Sequence, residues 1–170
     1  GYTHTDEIMK KRVIIPIYEG EKLVGYQGRS IKKHPKKKYR FPKGIKTSRV
    51  LFNIDNIKGG TVVLTEGVFD CMMLSQWGYD AVAILGLNLT PYKIRKLILA
   101  GAINIVVAID SDTAGDDSRN RLYEALCQHF RVDSVRLPRG RDIDGLEPYE
   151  WDEIYEDKKA VHKNEWVRKI

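Results

Sequence analysis

The chain holds only two cysteines in 170 residues, Cys71 and Cys127, and neither belongs to a CxxC pair. A disulfide framework needs more thiols, and a thiolate zinc site needs closer ones. Both are expected to be reduced core thiols of a cytoplasmic protein. Histidine is equally sparse: His4, His34, His129 and His162 are scattered and suggest no ligand set. No apolar run approaches the ~20 residues that cross a bilayer, so no membrane association is expected. The opening Gly1-Tyr2-Thr3-His4 lacks a signal-peptide pattern. Because the first residue is Gly1 and not Met, a piece of a longer protein is expected. Internal repeats and low-complexity tracts are absent.

Acid is also scarce, but only in the front of the chain. Residues 1–60 carry 15 Lys and Arg against 5 Asp and Glu, while residues 61–170 carry 14 against 18. The balance changes from +10 to −4. Two lobes with different electrostatic roles are expected, the basic one suited to a polyanion and the acidic one to a metal ion. Hydrophobic content of 42% with 31% charged residues fits a folded domain rather than a disordered chain.

The hydrophobic pattern separates the same two parts. Residues 13–18 and 23–29 read as strands joined by the turn Glu19-Gly20-Glu21-Lys22, a hairpin. Residues 34–44 form a basic loop with interleaved aromatics. From residue 61 the pattern alternates. Strands are predicted at 61–65, 81–85, 105–109 and 132–137, and helices at 68–77, 91–100 and 117–130. Thr90 followed by Pro91 is a helix start. Repeated strand–helix units imply a parallel sheet with helices on both faces, which binds ligands at the carboxyl ends of its strands. We therefore expect a basic lobe at 1–60, an α/β domain at 61–148 and a helical segment at 149–170.

Carboxylates gather at those strand ends. Glu66 follows the first strand, and Asp110 and Asp112 follow the third. Asp142 and Asp144 sit in a Gly-containing loop after the fourth. Asp70 lies one helical turn beyond Glu66. Such a cluster is costly unless a cation sits within it, and Mg²⁺ is the hard, oxygen-seeking candidate. Each acid also has a plainer use: Asp112 as a helix cap, Asp70 at a helix N-terminus, and Asp142 and Asp144 as turn residues. In the basic loop, Lys36, Lys37, Lys38, Arg40 and Lys43 could neutralise phosphates while Tyr39 and Phe41 stack on bases. The aromatics could equally anchor the loop while the lysines are solvated.

Taken together, these pieces resemble the Toprim domain of bacterial DnaG-type primases, type IA and type II topoisomerases and some nucleases. In that family a Glu ends the first strand and a DxD ends a later one, here Glu66 and the Asp110/Asp112 pair. Leu137-Pro138-Arg139-Gly140-Arg141-Asp142-Ile143-Asp144 is similar to a primase segment ending in DPD, with Ile143 in place of Pro. Leu85-Gly86-Leu87-Asn88-Leu89-Thr90 resembles the primase loop after the second strand, with Leu87 replacing a small residue. The front lobe resembles primases specifically, through Arg12-Val13-Ile14-Ile15-Pro16-Ile17, Gly25-Tyr26-Gln27-Gly28-Arg29, Lys38-Tyr39 and Leu51-Phe52-Asn53.

The resemblance implies a Toprim α/β fold, a Rossmann-like parallel sheet preceded by a small basic α+β lobe. It implies RNA primer synthesis by metal-dependent nucleotidyl transfer, with two Mg²⁺ or Mn²⁺ ions on Glu66, Asp110 and Asp112. Asp70, Asp142 and Asp144 are further candidate ligands. Arg29 and Lys38 would contact template or nucleotide phosphates, with Lys46 the nearest match to a third basic position. Single-stranded DNA and nucleoside triphosphates are the implied partners, together with a replicative helicase. Divergence at several motifs suggests a phage or mobile-element member. A Toprim nuclease and a non-catalytic nucleic-acid-binding module are the rival readings.

Overall fold

The computed structural model describes residues 9–109 and 116–161. It divides into two compact units, Gly1–Thr47 and Ser48–Ile170.

The first unit is an antiparallel sheet of β1 (Arg12–Glu19), β2 (Lys22–Ser30) and β3 (Tyr39–Arg40), in that order. Glu19 pairs with Lys22, which leaves a two-residue turn at Gly20 and Glu21. Both have positive φ, 55° and 63°, as the twist of a tight hairpin requires. Two glycines of β2 are dictated by packing. A Cβ on Gly25 would lie 2.2 Å from Ile45 Cδ1, and one on Gly28 would lie 2.6 Å from Met9 Sδ.

In the second unit the five strands run β5-β4-β6-β7-β8. They are β4 (Gly60–Thr65), β5 (Ala81–Ala83), β6 (Ala102–Ala108), β7 (Arg131–Ser134) and β8 (Lys159–Ala160). The helices are α1 (Val68–Gln76), α2 (Pro91–Leu99), α3 (Asp116–Cys127) and α4 (Pro148–Glu156). Strand alternation sorts the core into two layers. Val62, Leu64, Ile105 and Val107 face Ile94 and Leu97 of α2 and Leu122 and Leu126 of α3. Val63, Val106 and Ala108 face Cys71 and Leu74 of α1 and Trp151 of α4. Fully burying each such aliphatic side chain contributes about 1.5–3 kcal/mol. Both faces are thus covered, as the uninterrupted apolar strands predict. The buried Cys71 thiol is pushed up to about 12 by desolvation, as suits an inert core residue.

The boundaries differ from those read in the sequence. The second unit begins at Ser48, not at residue 61, because Leu51 and Ile54 are buried in the larger core. Phe52 exchanges backbone hydrogen bonds with Ala83, at 3.0 and 3.1 Å, beyond the β5 edge. Residues 149–161 pack onto the larger unit. Trp151 is fully buried, with its ring edge-on to Tyr79 at 5.8 Å, and β8 adds to β7 as an antiparallel strand. The sheet is therefore mixed, not wholly parallel. Strand β5 stops at Ala83 because Leu85 enters the left-handed region at φ 57°.

Lys93 is buried at 1% exposure on the inner face of α2. Its Nζ donates to the carbonyls of Ile84, at 2.5 Å, and Asn88, at 3.0 Å, tying down both ends of the loop after β5. Burial, and secondarily Lys96, push this amine from 10.5 down to about 8.

Two outcomes follow from this packing. Leu51→Ala should destabilise the second unit by about 2–5 kcal/mol, read from the urea midpoint, although Leu51 precedes the residue-61 boundary. Between pH about 8 and 10.5 the unfolded chain binds the Lys93 proton that the folded chain has released. Stability should therefore rise with pH through this window. The difference between wild type and Lys93→Met in urea titrations across it should show that slope.

Candidate functional site

The register of the central strands builds the acidic rim. Strands β4 and β6 are parallel, with Thr65 opposite Ala108. Glu66 and Ile109 therefore leave the sheet at the same edge. The Thr65 hydroxyl donates to the Gly67 carbonyl at 3.0 Å, which bends the chain from β4 into α1. Glu66 is half-buried at this bend, and its carbonyl accepts the Leu85 N–H at 3.1 Å. Asp70 lies in the first turn of α1, where the helix dipole favours a carboxylate. A Cβ on Gly67 would lie 2.7 Å from Asp70 Oδ2, so a side chain there would make the Asp70 carboxylate shift.

The loop after β7 comes to the same place. Its short 3-10 turn, Ile143–Gly145, packs against α1. The Asp144 backbone N–H donates to Asp70 Oδ1 at 3.3 Å, so these two acids are neighbours. Asp142 stands one residue before the turn and is half-buried. Arg141 fastens the loop. Its two terminal nitrogens grip Glu150 at 2.7 and 2.9 Å, and one also donates to the Gly145 carbonyl at 2.6 Å. Arg141, together with the Glu147 N–H, holds the Glu150 carboxyl below the usual carboxylate range.

The structure thus brings Asp70 and Asp144 together and sets Glu66 at the start of the same bend. Asp110 and Asp112, which follow Ile109 in sequence, lie outside the described residues. Among the described residues no three acids, histidines or cysteines form a complete metal site. The donors present are all carboxylate oxygens, the chemistry that suits Mg²⁺ or Mn²⁺ rather than a softer metal.

The predicted basic contacts occupy the first unit and divide between two faces of its sheet. Arg29 pairs with Tyr39 across β2 and β3, and the Arg29 guanidinium and Lys38 ammonium each lie 5.7 Å from the Tyr39 ring centre. These three form one cationic–aromatic surface. Arg40, the next residue along β3, faces the other way, with Lys36 and Lys37 on its side. Lys43 and Lys46 are exposed farther along the segment.

Sequence reading missed two basic residues that shape these sites. Arg12 is buried, and its guanidinium donates to the carbonyls of Gly28, Lys37 and Lys38 at 3.0, 3.0 and 3.1 Å. It sets the path of the loop that carries Lys38. Lys93 does the same for the loop beside Glu66. Its signal was present, since it sits four residues before Leu97 on the apolar stripe of α2. Leu87, the unexpected large residue in that loop, packs against the larger core.

Comparison with known proteins agrees with this geometry. The family described as Toprim-like, Toprim_2, matches residues 63–146. The DNA primase of Clostridium acetobutylicum is 32% identical over 145 residues, covering 79% of this chain and 24% of that protein. The chain spans about a quarter of the length of the curated relatives it matches. A DnaG primase catalytic domain bound to single-stranded DNA superposes with a TM-score of 0.75 at 27% identity, covering 89% of this chain and 53% of that one. The E. coli primase catalytic core gives 0.71 at 30% identity, covering 86% and 51%. The carboxylate-bearing strand ends, the sheet order and these likenesses together place residues 63–146 in the Toprim-like family, within a chain whose fold is similar to that of DnaG primase catalytic cores.

Proposed function

We propose that this chain carries the nucleotidyl-transfer centre of a DnaG-type primase and synthesises short RNA primers on single-stranded DNA from nucleoside triphosphates. The observation that carries this reading is the joint exit of β4 and β6 at one sheet edge, with Glu66 on the first and the Asp110/Asp112 pair following the second in sequence. The whole protein would work beside a replicative helicase in the cytoplasm. Among the described residues no helix is long and apolar enough to cross a membrane.

In this reading Glu66, Asp110 and Asp112 hold Mg²⁺ or Mn²⁺, in a two-metal arrangement, with Asp70, Asp142 and Asp144 as further ligands. A bound divalent cation there would supply charge neutralisation to the phosphates and activate a 3′-hydroxyl. The protein's own groups do the positioning. Asp70 holds the Asp144 loop through its backbone N–H, and Arg141 keeps that loop from spreading. Lys93 fixes the neighbouring β5–α2 loop from below, which limits the freedom of the chain around Glu66. On the other unit, Arg29 and Lys38 offer charge to phosphates and Tyr39 a face for a base. Holding reacting groups in fixed geometry is itself worth several orders of magnitude in rate.

The assay is primer synthesis on single-stranded DNA with labelled triphosphates and Mg²⁺ or Mn²⁺. Asp110→Asn and Asp112→Asn should each reduce product to background while the thermal transition holds or rises, because removing one of several clustered carboxylates relieves repulsion. Loss of the folded transition in these variants would make the pair structural. DNA cleavage without any triphosphate requirement would point to a nuclease instead. Lys38→Ala should weaken single-stranded DNA binding and flatten its log–log salt dependence by about 0.7, one phosphate contact. An unchanged slope would remove Lys38 from the interface.

A further inference from the structure

The first unit holds a second cationic site on the sheet face opposite Tyr39. A cavity of about 450 Å³ is lined by Lys10, Arg12, Lys32, Lys36, Lys37 and Arg40, with Ser30 and His34 at its edge. Among the described residues its lining contains no carboxylate and no Phe, Tyr or Trp. The described acids of this unit, Glu19 and Glu21, lie at the far end of the hairpin. Arg12 to Glu19 is the full length of β1, about 23 Å at strand rise.

The charged side chains of the described lining are cationic, and two of them are packed close together. Arg12 is buried, and that burial, with the charge of Arg40 second, pulls its guanidinium below its ordinary pKa. Among the described residues the buried Arg40 Nε has no hydrogen-bond partner. A buried guanidinium N–H without an acceptor carries a desolvation penalty that an entering oxyanion would remove. The backbone is committed to the arrangement. Arg12 is fastened by three carbonyls, and Gly28 is small because Met9 Sδ and Arg12 Cδ fill the space a Cβ would need. The cation pair is thus built into the sheet and is not a chance meeting of surface side chains.

We propose that this cavity is a polyphosphate-binding site, distinct from the Arg29–Tyr39–Lys38 surface, that takes a di- or triphosphate group. Six cationic side chains around one cavity exceed what a lone phosphate offsets, whereas a short phosphate chain matches them. Among the described residues no Phe, Tyr or Trp platform lines it, which separates it from a single-strand groove, where bases stack along the path. Such a group is carried by a free nucleoside triphosphate and by the 5′ end of a newly started RNA. The chemistry recognised is the same, and the site does not depend on the catalytic reading of the acidic unit.

The test is calorimetric titration of the whole chain with inorganic tripolyphosphate, with EDTA present to exclude metal. Saturable binding is expected, and Arg40→Met should weaken it by about tenfold or more. The double variant K36Q/K37Q changes exposed side chains only, so it should keep the wild-type thermal transition and show a similar loss. Lys38→Ala, on the opposite face, should bind tripolyphosphate within about twofold of wild type. No saturable binding, wild-type affinity in both Arg40→Met and K36Q/K37Q, or loss confined to Lys38→Ala would each overturn the proposal. Displacement then separates the sources. ATP or a 5′-triphosphate RNA should compete for the site, the stronger competitor identifying the natural source, while the same RNA with a 5′-hydroxyl should not. Equal competition by the 5′-hydroxyl RNA would mean that the cavity reads an ordinary strand backbone, which would also overturn it.

Discussion

The parallel pairing of β4 with β6 is the constraint on which the second unit rests. It joins Gly60–Thr65 to Ala102–Ala108 in a register that sets Thr65 against Ala108. Slipping β4 by one residue against β6 would turn Val63 toward α2 and α3 and Val62 toward α1 and α4, while Val106 and Ile105 kept their faces. Both layers would lose their fit at once. The same register decides which residues leave the sheet side by side. Packing in the middle of the strands and chemistry at their ends are therefore fixed by one set of hydrogen bonds.

Around that edge charged groups hold the loops alongside apolar anchors such as Leu89 and Ile143. Lys93 gathers two carbonyls of the β5–α2 loop, and Arg141 joins the Asp144 loop to Glu150. In the first unit Arg12 gathers three carbonyls beneath the Lys38 loop. In each case a long cationic side chain donates to backbone carbonyls of the loop or of the strand beside it. Loops that must stay open to a ligand cannot be buried under hydrophobic side chains, so donors from below take over.

Most of the second unit was legible in the sequence because its signals are local. Apolar runs of β-branched residues marked β4 and β6, and Thr90-Pro91 marked the start of α2. Glu66 at a strand end was readable for the same reason. What escaped was non-local. Leu51 lies on the basic side of the charge boundary, yet its side chain belongs to the larger core. Charge balance follows surface residues, whereas the unit boundary follows buried ones. Strand β8 is two residues long and gives no periodic signal of its own. Trp151 could be seen as part of a helix, but its burial depends on Tyr79, seventy-two positions earlier. Arg12 and Lys93 look like surface residues by type, and only tertiary structure gives their donors carbonyls to meet. The basic loop was read as one surface. Strand alternation at β3 divides it in two, a division that a strand of two residues does not announce.

The two outer margins of the five-stranded sheet are finished in the same manner. At one, Phe52 exchanges both backbone hydrogen bonds with Ala83; at the other, β8 lies antiparallel against Asp133 and Ser134 of β7. Each piece is too short to serve as a template, and each consumes N–H and C=O groups that a parallel sheet would otherwise present to a neighbouring molecule. A domain whose strands are rich in Val and Ile would otherwise risk stacking edge to edge at high local concentration. These two short antiparallel additions give it protection from self-association that its core composition alone does not provide.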